Sequence, residues 1–327
     1  MTLSDIIRNN GKDCAVAFPE KIGFVSNSRY YQGTILLKRS SENLKKKLNP
    51  ETTYVIPGFY GINSKGHTVL LGRGGSDYSA ACIANGIDAS YLDVWKDVEG
   101  YLSGDPKIIK NVKKIEHLSY LEAAELSYFG AKILHPRTIR PLVEKNIEIR
   151  LFNPEKHKKA ENPATVIGAD TTVSPTIIKS ITYSKNIALL KLKGSGVGIK
   201  KGILAQVTKA LDDAQINIRS VFTSQTAIHF IFLKEDLEHA RSIIDHINKN
   251  NDFDTEIDDD IAWIAAIGNG INEKEGIAAS IFASLARKDI NVRHIVLGAA
   301  EVAIYFIIKK EDVEEAINAI NDELFHH

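Results

Sequence analysis

The amino-acid sequence predicts an α/β protein in which a layered α/β region over residues 1–170 precedes two small β-α-β-β-α-β units. Three observations predict this class. Short apolar segments of strand length alternate with helical patterns in the first half, a glycine-rich segment joins one such strand to a helix, and the second half contains an internal repeat. Alternating strands and helices are typical of layered α/β folds, because the helices cover the faces of the sheet.

In the first half, four apolar runs have the length and composition of β-strands: residues 54–56, 68–71, 92–95 and 147–152. Between the last two runs, Ser119 and Glu122 have the spacing of a capping box, which predicts a helix that begins there and ends at Gly130. Residues 153–170 are polar and lack apolar periodicity, so we expect a loop that leads to the repeats.

The hexad Gly-Arg-Gly-Gly-Ser-Asp, residues 72–77, lies between a predicted strand and a helix predicted to begin at Tyr78. Its glycines let the backbone turn tightly and approach a ligand closely. The N–H groups at the start of the next helix favour an anion, and Arg73 adds a guanidinium that matches carboxylate or phosphate. The alternative is an ordinary helix start with Ser76 or Asp77 as the N-cap. The hexad alone leaves both interpretations open.

The second half contains a repeat, because residues 194–219 and 268–293 align without a gap and are identical at ten of 26 positions. Each copy follows an apolar run of strand length and begins with a glycine-rich loop. A helix comes next, with Ile203, Val207 and Leu211 four residues apart on one face in the first copy. The pattern predicts two similar units that pack together to bury their apolar faces.

After the helix of each copy, residues 216–218 and 290–292 alternate as strands do. A further strand and a charged helix close each unit. The order predicts a final strand for the first unit around residues 253–257.

Composition excludes several classes of function. The 41 basic and 41 acidic residues balance, so no charge excess indicates nucleic acid or a membrane surface as partner. The two cysteines among 327 residues fit a reducing cytoplasm and provide neither a disulfide framework nor a zinc cluster. The N-terminus lacks the pattern of a signal peptide, and no apolar run approaches the length of a membrane span. We expect a cytoplasmic globular protein.

Several motifs together resemble the aspartate kinase family, in the order that this family has them: GFYG at 58–61, LGRGGSDYSAA at 71–81, VWKDVEG at 94–100, GDP at 104–106 and LSYLEAAELSYFGAKILHPRTI at 118–139. The last motif is similar to the kinase portion of bifunctional aspartokinase–homoserine dehydrogenases. The repeats resemble ACT domains, which are small ferredoxin-like modules that bind amino acids. The resemblance implies a partial kinase domain at 1–170 and ACT domains at 180–258 and 259–327.

The resemblance implies phosphoryl transfer from ATP, with Mg²⁺ on its phosphates, to the β-carboxylate of L-aspartate. Arg73 and Asp77 take the catalytic roles in this family pattern, and the aspartate-binding residues are Arg73, Gly74, Gly75, Ser76 and Asp77. Arg73 would hold a carboxylate of the substrate, and Asp77 would orient its amino group. The matching nucleotide-binding positions are Lys96, Asp97, Leu102, Lys107, Lys132 and Ile133. No protein metal ligand is implied, and His135 is expected to pack or cap a helix rather than catalyse.

The sequence departs from the family pattern at two places. A Lys-Phe-Gly-Gly segment, which meets the phosphates in the family, is absent ahead of residues 3–9, so we expect part of the kinase module to be missing. On the nucleotide side, Lys96, Leu102 and Lys107 replace the usual Thr, Tyr and Arg. Tyr101, adjacent in sequence, could substitute for the missing tyrosine if the loop shifts by one residue.

In the repeats, the resemblance implies an amino-acid effector, with Asn217 and Gln225 as candidate contacts. Arg219 stands where lysine-regulated relatives have an acidic residue, and Thr223-Ser224-Gln225 is similar to threonine-sensitive enzymes, so threonine is favoured over lysine. ACT pairs usually associate, which predicts a homodimer.

Two other functions remain open from the sequence. The first is a non-catalytic regulatory chain that binds an amino-acid effector and controls a partner subunit. The second is a kinase for another amino acid or a carbamate, which the tandem repeat argues against.

Overall fold

The structure is a computed structural model that describes residues 2–129, 133–157, 159–169, 173–174, 176–194, 197, 200–248 and 253–325. The helices in these residues are α1 Leu3–Asn9, α2 Pro19–Ile22, α3 Leu37–Lys47, α4 Gly75–Gly86, α5 Tyr120–Phe129, α6 Pro136–Val143, α7 Ile203–Asp213, α8 Leu237–Asn248, α9 Ile277–Ala286 and α10 Val313–Phe325. The strands before the repeats are β1 Cys14–Val16, β2 Thr53–Val55, β3 Tyr60–Ile62, β4 Thr68–Leu70, β5 Tyr91–Trp95, β6 Tyr101–Leu102, β7 Lys114–Ile115, β8 His117–Ser119, β9 Glu148–Phe152 and β10 Thr165–Gly168. Those that follow are β11 Ser180–Ser184, β12 Ile187–Lys193, β13 Ser220–Thr223, β14 Ala227–Leu233, β15 Asp254–Asp258, β16 Ile261–Ile267, β17 His294–Ala300 and β18 Ala303–Lys309.

The chain divides into two compact units. Unit 1 comprises Met1–Thr182, Ala266–Lys274 and Ala300–Ala303, and unit 2 comprises Tyr183–Ala265, Glu275–Ala299 and Ile304–His327. None of the described helices is both long and apolar enough to cross a membrane.

The main sheet of unit 1 has the strand order β5-β9-β10-β8. β5 pairs with β9 and β10 pairs with β8 in parallel, whereas β9 and β10 are antiparallel. The sheet corrects one sequence prediction, because β10 lies inside residues 153–170, which were expected to be a loop. Its four residues are too few to produce a sequence period, and their strand conformation depends on the partners on both sides.

Helix α4 positions the glycine-rich hexad in unit 1. The antiparallel hairpin of β3 and β4 leads directly into the hexad. Leu71 ends this hairpin in a core that contains Leu44 of α3 and both Tyr78 and Cys82 of α4. Since α4 is buried along most of its length, its N-terminus is held in place against the strand that precedes it.

Glu122 is a fully buried carboxylate at the start of α5. The predicted capping box is confirmed, because the Ser119 amide donates to Oε2 of Glu122 (2.8 Å) and the Glu122 amide donates to Oγ of Ser119 (3.1 Å). Lys179 Nζ also donates to Oε2 (2.8 Å), and the amide of Asn269 donates to Oε1 (2.8 Å). Charge-assisted bonds of this kind offset the cost of burying a carboxylate. The predicted helix end, Gly130, lies outside the described residues.

The first repeat lies in unit 2 and forms a sheet with the order β13-β14-β12-β15. β15 is the final strand expected around residues 253–257, and it pairs antiparallel with β12. Ile203, Val207 and Leu211 are buried on one face of α7, as their spacing predicts.

The second repeat belongs to a sheet with the order β11-β16-β18-β17. Its edge strand β11 precedes the first repeat in sequence, so the second sheet is not assembled from consecutive chain. One prediction fails in both repeats, because β13 and β17 begin only at Ser220 and His294. Pairing with β14 begins at the amide of Arg219, and pairing with β18 begins at the amide of Arg293. Residues 216–218 and 290–292 precede these first hydrogen bonds and are therefore not part of the strands.

Candidate functional site

The glycine-rich hexad forms a left-handed turn at the N-terminus of α4. Gly74 is the N-cap residue with φ +70°, and the helix begins at Gly75 rather than at Tyr78. This corrects the alternative in which Ser76 or Asp77 caps the helix, since both lie inside the first turn and no side chain caps it. The Gly75 amide donates to the carbonyl of Gly72 (2.9 Å). Because no side chain caps the turn, the next two amides, those of Ser76 and Asp77, are suited to an anionic ligand.

Two glycines of the turn are required by close packing as well as by φ. A Cβ on Gly72, where φ is +76°, would lie 2.6 Å from the carbonyl oxygen of Tyr31. A Cβ on Gly74 would lie 2.4 Å from Cβ of His135. Both distances are shorter than real side chains tolerate, so only glycine allows the turn to approach these neighbours.

Arg137 fixes the strand that delivers the turn. Its guanidinium donates to the carbonyl of Leu71 (2.7 Å) and to that of Gly33 (2.6 Å). It also lies over the ring of Tyr78, 4.5 Å from the centroid. Arg73 and Ser76, in contrast, are exposed at the turn. Arg73 is thus the exposed guanidinium of the hexad, as expected of a ligand-binding residue.

Asp77 and Lys96 form an ion pair that joins two predicted sites. Lys96 Nζ lies 2.6 Å from Oδ2 of Asp77 and also donates to the backbone carbonyl of Ile133 at 2.5 Å. The two side chains are 23% and 28% exposed. Asp77 belongs to the predicted aspartate site, whereas Lys96 and Ile133 belong to the predicted nucleotide site. The structure therefore brings these three residues together.

The remaining nucleotide candidates are arranged differently. Asp97 and Lys107 are exposed, and the amide of Lys107 donates to Oδ1 of Asp105 (2.9 Å). Leu102 is half-buried on β6, with its carbonyl bonded to Oγ of Ser180 (2.8 Å). Lys132 lies outside the described residues.

Tyr101 does not replace the tyrosine that the family pattern has at position 102. It is 1% exposed, and its hydroxyl pairs with Oγ of Ser127 (3.1 Å). Burial raises the pKa of this hydroxyl. Tyr101 is therefore a core residue, and the loop is not shifted in a way that would let it substitute for the missing tyrosine.

His135 caps α6, as the sequence predicts. Its Nδ1 accepts a hydrogen bond from the amide of Arg137 (3.3 Å). Burial lowers the pKa of the imidazole, and the nearby charges of Arg137 and Arg73 lower it further. A neutral imidazole is the form that can accept this bond, so the environment and the capping role agree.

Phe59 and Ser79 border the turn, and sequence analysis did not single them out. Phe59 has φ +76° and is 41% exposed, and its amide donates to Oγ of Ser79 (2.9 Å). A Cβ on Gly75 would lie 2.9 Å from the ring of Phe59. A positive φ in a bulky residue is rare and marks a held conformation. The signal available in the sequence was the GFYG motif, in which Phe59 stands between Gly58 and the first residue of β3.

The candidate effector residues in unit 2 do not come together within one chain. Asn217 precedes β13 and Gln225 follows it, and both are exposed. The four residues of β13 separate them by roughly 13 Å of strand. Each therefore stands as a separate candidate contact.

Unit 2 also contains a histidine pair that sequence analysis missed. Nδ1 of His229 on β14 lies 3.1 Å from Nε2 of His294 on β17. The ring of Phe222 lies 5.0 Å from that of His294. Burial lowers the pKa of both histidines; His294 and Lys191 lower that of His229 further, and Lys191 also lowers that of His294. The residues are 65 apart in sequence, so no local pattern could have predicted the pair.

No group of three or more histidine, cysteine, aspartate or glutamate side chains that could hold a metal occurs within the described parts of the chain. A Mg²⁺ ion in phosphoryl-transfer sites is held chiefly by the substrate phosphates and by one or two carboxylates. Asp97, the residue after Lys96, is exposed and could supply one such carboxylate.

Three family models match parts of the chain. The model of the amino acid kinase family matches residues 1–153, and models of the ACT domain match residues 196–252 and 264–324. A bifunctional aspartokinase/homoserine dehydrogenase of Haemophilus influenzae is 31% identical over 91% of the chain and 37% of its own length. The lysine-sensitive aspartokinase 3 of Escherichia coli is 29% identical over 89% of the chain and 64% of its own length. The chain thus spans less than two thirds of these relatives.

The fold is similar to solved aspartokinase structures. The E. coli aspartokinase III complex with aspartate and ADP superimposes with a TM-score of 0.82 at 26% identity, covering 98% of the chain and 72% of the other. The aspartate kinase of Clostridium acetobutylicum gives a TM-score of 0.79 at 27% identity, with 98% and 72% covered. The similarity extends through both the kinase region and the repeats.

Proposed function

Because the chain belongs to the aspartokinase family, with an amino acid kinase region followed by two ACT domains, we propose that it transfers the γ-phosphoryl group of ATP to the β-carboxylate of L-aspartate. The observation that carries the proposal is the contact of Asp77 with Lys96 and Ile133, which joins the acceptor motif to the nucleotide motif. The solved relative with aspartate and ADP supports it.

The hexad turn supplies the acceptor site. Arg73 holds a carboxylate of aspartate through its planar guanidinium, and the first-turn N–H groups of Ser76 and Asp77 favour the same negative charge. Gly74 gives the turn its left-handed conformation. Asp77 receives the substrate ammonium, so that the β-carboxylate is oriented as the attacking group. Phosphoryl transfer needs little covalent chemistry from the protein, and positioning of this kind provides most of the catalysis.

The nucleotide side comprises Lys96, Asp97, Leu102, Lys107, Lys132 and Ile133. In this proposal, Lys107 and Lys132 supply positive charge for the phosphates. Mg²⁺ on the phosphates would supply neutralisation of the negative charge on the transferred group. Asp97 is the carboxylate that could hold such an ion, since it is exposed at the end of β5.

The ACT domains provide regulation in this proposal. We place the domains at 1–170, 180–258 and 259–327, with threonine as the effector and Asn217 and Gln225 as its contacts. Homodimer formation through the ACT domains and a cytoplasmic location remain predictions.

Calorimetric titration of the full chain tests the activity proposed. We expect saturable binding of Mg-ATP and of aspartate, and aspartyl hydroxamate should form when both ligands and hydroxylamine are present. Arg73→Met should abolish aspartate binding and leave Mg-ATP binding within twofold. Arg140→Met, which removes an exposed arginine of α6, is the matched control and should change neither. A chain that binds neither ligand would overturn the proposal.

A non-catalytic regulatory role is the second candidate, favoured by Lys96 and Leu102, which replace the threonine and tyrosine of the family pattern. The same titration separates the two functions. Threonine binding without Mg-ATP binding would assign the chain to the regulatory role.

A further inference from the structure

Lys96 lies between the proposed aspartate site and the proposed nucleotide site, and the proposed function does not explain this position. Its ammonium has three donors, and two of them bond to acceptors from different segments: Oδ2 of Asp77 in α4 and the carbonyl of Ile133 ahead of α6. Lys96 itself follows the last residue of β5. One flexible side chain thus connects the acceptor helix to both nucleotide segments.

The proposed substrate contains the same chemical group as Lys96. Asp77 is expected to receive the α-ammonium of aspartate, yet in the structure this carboxylate already pairs with the ammonium of Lys96. Two like charges at one carboxylate repel each other, so substrate and lysine compete for Asp77. Both side chains are about one quarter exposed, so an entering ammonium can reach the carboxylate of Asp77 and compete with Lys96 for it.

We infer that Lys96 is an exchangeable counter-ion that links the two substrates. In the ligand-free chain it neutralises Asp77; when the ammonium of aspartate binds Asp77, Lys96 is displaced and pairs with the phosphates of the nucleotide. Its four-carbon stem allows this movement while the backbone at the end of β5 stays in place. This inference rests on the proposed function, and it assigns to Lys96 a role that threonine at this position could not perform.

Displacement of Lys96 makes the binding of aspartate and the binding of Mg-ATP cooperative. Aspartate binding provides a cation for Mg-ATP, and Mg-ATP binding by linkage strengthens aspartate binding by the same factor. We expect a coupling of about fivefold or more in each direction, the lower end of typical couplings between sites.

Titration of the full chain with Mg-ATP, in the absence and presence of saturating aspartate, measures this coupling. Wild-type chain should bind Mg-ATP about fivefold tighter when aspartate is present. Lys96→Thr should abolish the difference, Lys96→Arg should retain it, and Lys110→Thr, which removes an exposed lysine of the same unit, should leave it unchanged.

Asp77→Asn provides a second, independent test. It removes the charge that holds Lys96, so Mg-ATP should bind to the ligand-free variant as tightly as to wild type with aspartate. The double variant Asp77→Asn with Lys96→Thr should lose that gain. If the gain persists in the double variant, or if Asp77→Asn weakens Mg-ATP binding, Lys96 is not the link.

The outcomes separate this inference from the proposed function. A wild-type chain that binds both ligands without coupling, or a Lys96→Thr chain that keeps the coupling, overturns the inference and leaves the kinase proposal intact. A wild-type chain that binds neither ligand overturns both.

Discussion

Two separate constraints keep glycine at position 74. Its φ of +70° lies in the left-handed region, and the side chain of His135 occupies the space that a Cβ would need. The first constraint acts on any residue with a side chain, and the second depends on the neighbour. Gly66, in the β3–β4 turn, has φ +81° but open space around it. A substitution at Gly66 would therefore introduce backbone strain alone, whereas one at Gly74 would add a steric clash with His135.

Gly74→Ala should lower the free energy of unfolding by about 1–3 kcal/mol through backbone strain, and further through displacement of His135. It should also weaken aspartate binding, because the turn that supplies Gly75 and Ser76 has to move. Chemical denaturation and calorimetry measure the two effects. Gly66→Ala should show the strain alone and leave aspartate binding unchanged. Equal losses in both variants would contradict the role of His135.

Contacts between individual residues could be predicted where the partners are close in sequence. The capping box of Ser119 and Glu122 could be predicted because its two residues lie three positions apart. The partners that Glu122 gains from Lys179 and Asn269 could not, since they come from remote chain. The contact of Lys96 with Asp77 was also missed, because the family pattern has a threonine there and predicts no ion pair.

Strands β14 and β17 come from different repeats, and their histidines form the pair of His229 and His294. The short contact requires one ring nitrogen to donate and the other to accept, which two protonated rings cannot do. Nδ1 of His294 is buried and has no hydrogen-bond partner in the described chain. Charged groups face the pair from neighbouring strands: the cations of Lys191, Lys193 and Arg293 oppose protonation, and the carboxylates of Glu256 and Asp258 favour it.

Both histidines have pKa values below the ordinary value in the folded chain, so the unfolded chain binds more protons as the pH falls. Stability should therefore be independent of this pair above about pH 6.5 and should decrease below it, until the folded pKa values are passed. We expect the melting temperature to fall between pH 7.5 and 5.5. The double variant His229→Gln with His294→Gln should reduce that fall, whereas His239→Gln, at an exposed site of α8, should not.

Calorimetry at several pH values provides the measurement. An unchanged pH dependence in the double variant would mean that other groups control acid stability in unit 2.

Among the elements, those with a clear apolar period were predicted correctly. β15 lies where the final strand of the first repeat was predicted, and α7 buries the predicted face. β10 was missed because four residues do not make a period, and residues 216–218 were assigned too early because alternation alone does not show where pairing begins.

For the whole chain, the two units should respond to different ligands. Aspartate with Mg-ATP should protect unit 1, and threonine should protect unit 2. At a ligand concentration of 100 Kd, each should add about 2.7 kcal/mol to the stability of the state that binds it. Hydrogen exchange read by peptide would locate the protection, in α4 for the substrates and in β12–β14 for threonine.

Arg73→Met separates the two responses. The variant should lose the protection by aspartate and keep the protection by threonine. Loss of both responses would show that the substitution disturbs more than the acceptor site.

The position of β11 in the second sheet has a consequence for synthesis. β11 ends at Ser184 and its neighbour β16 begins at Ile261, so 76 residues separate the two strands. At ribosomal rates of about 5–20 residues per second, β11 emerges roughly 4–15 s before its partner exists. The first repeat is synthesised during that interval, and its last strand, β15, is complete at Asp258, just before β16 begins. Meanwhile β11 has to wait with unpaired backbone groups. The order of translation therefore makes the first repeat the earlier folding unit and leaves closure of the second sheet as a late step.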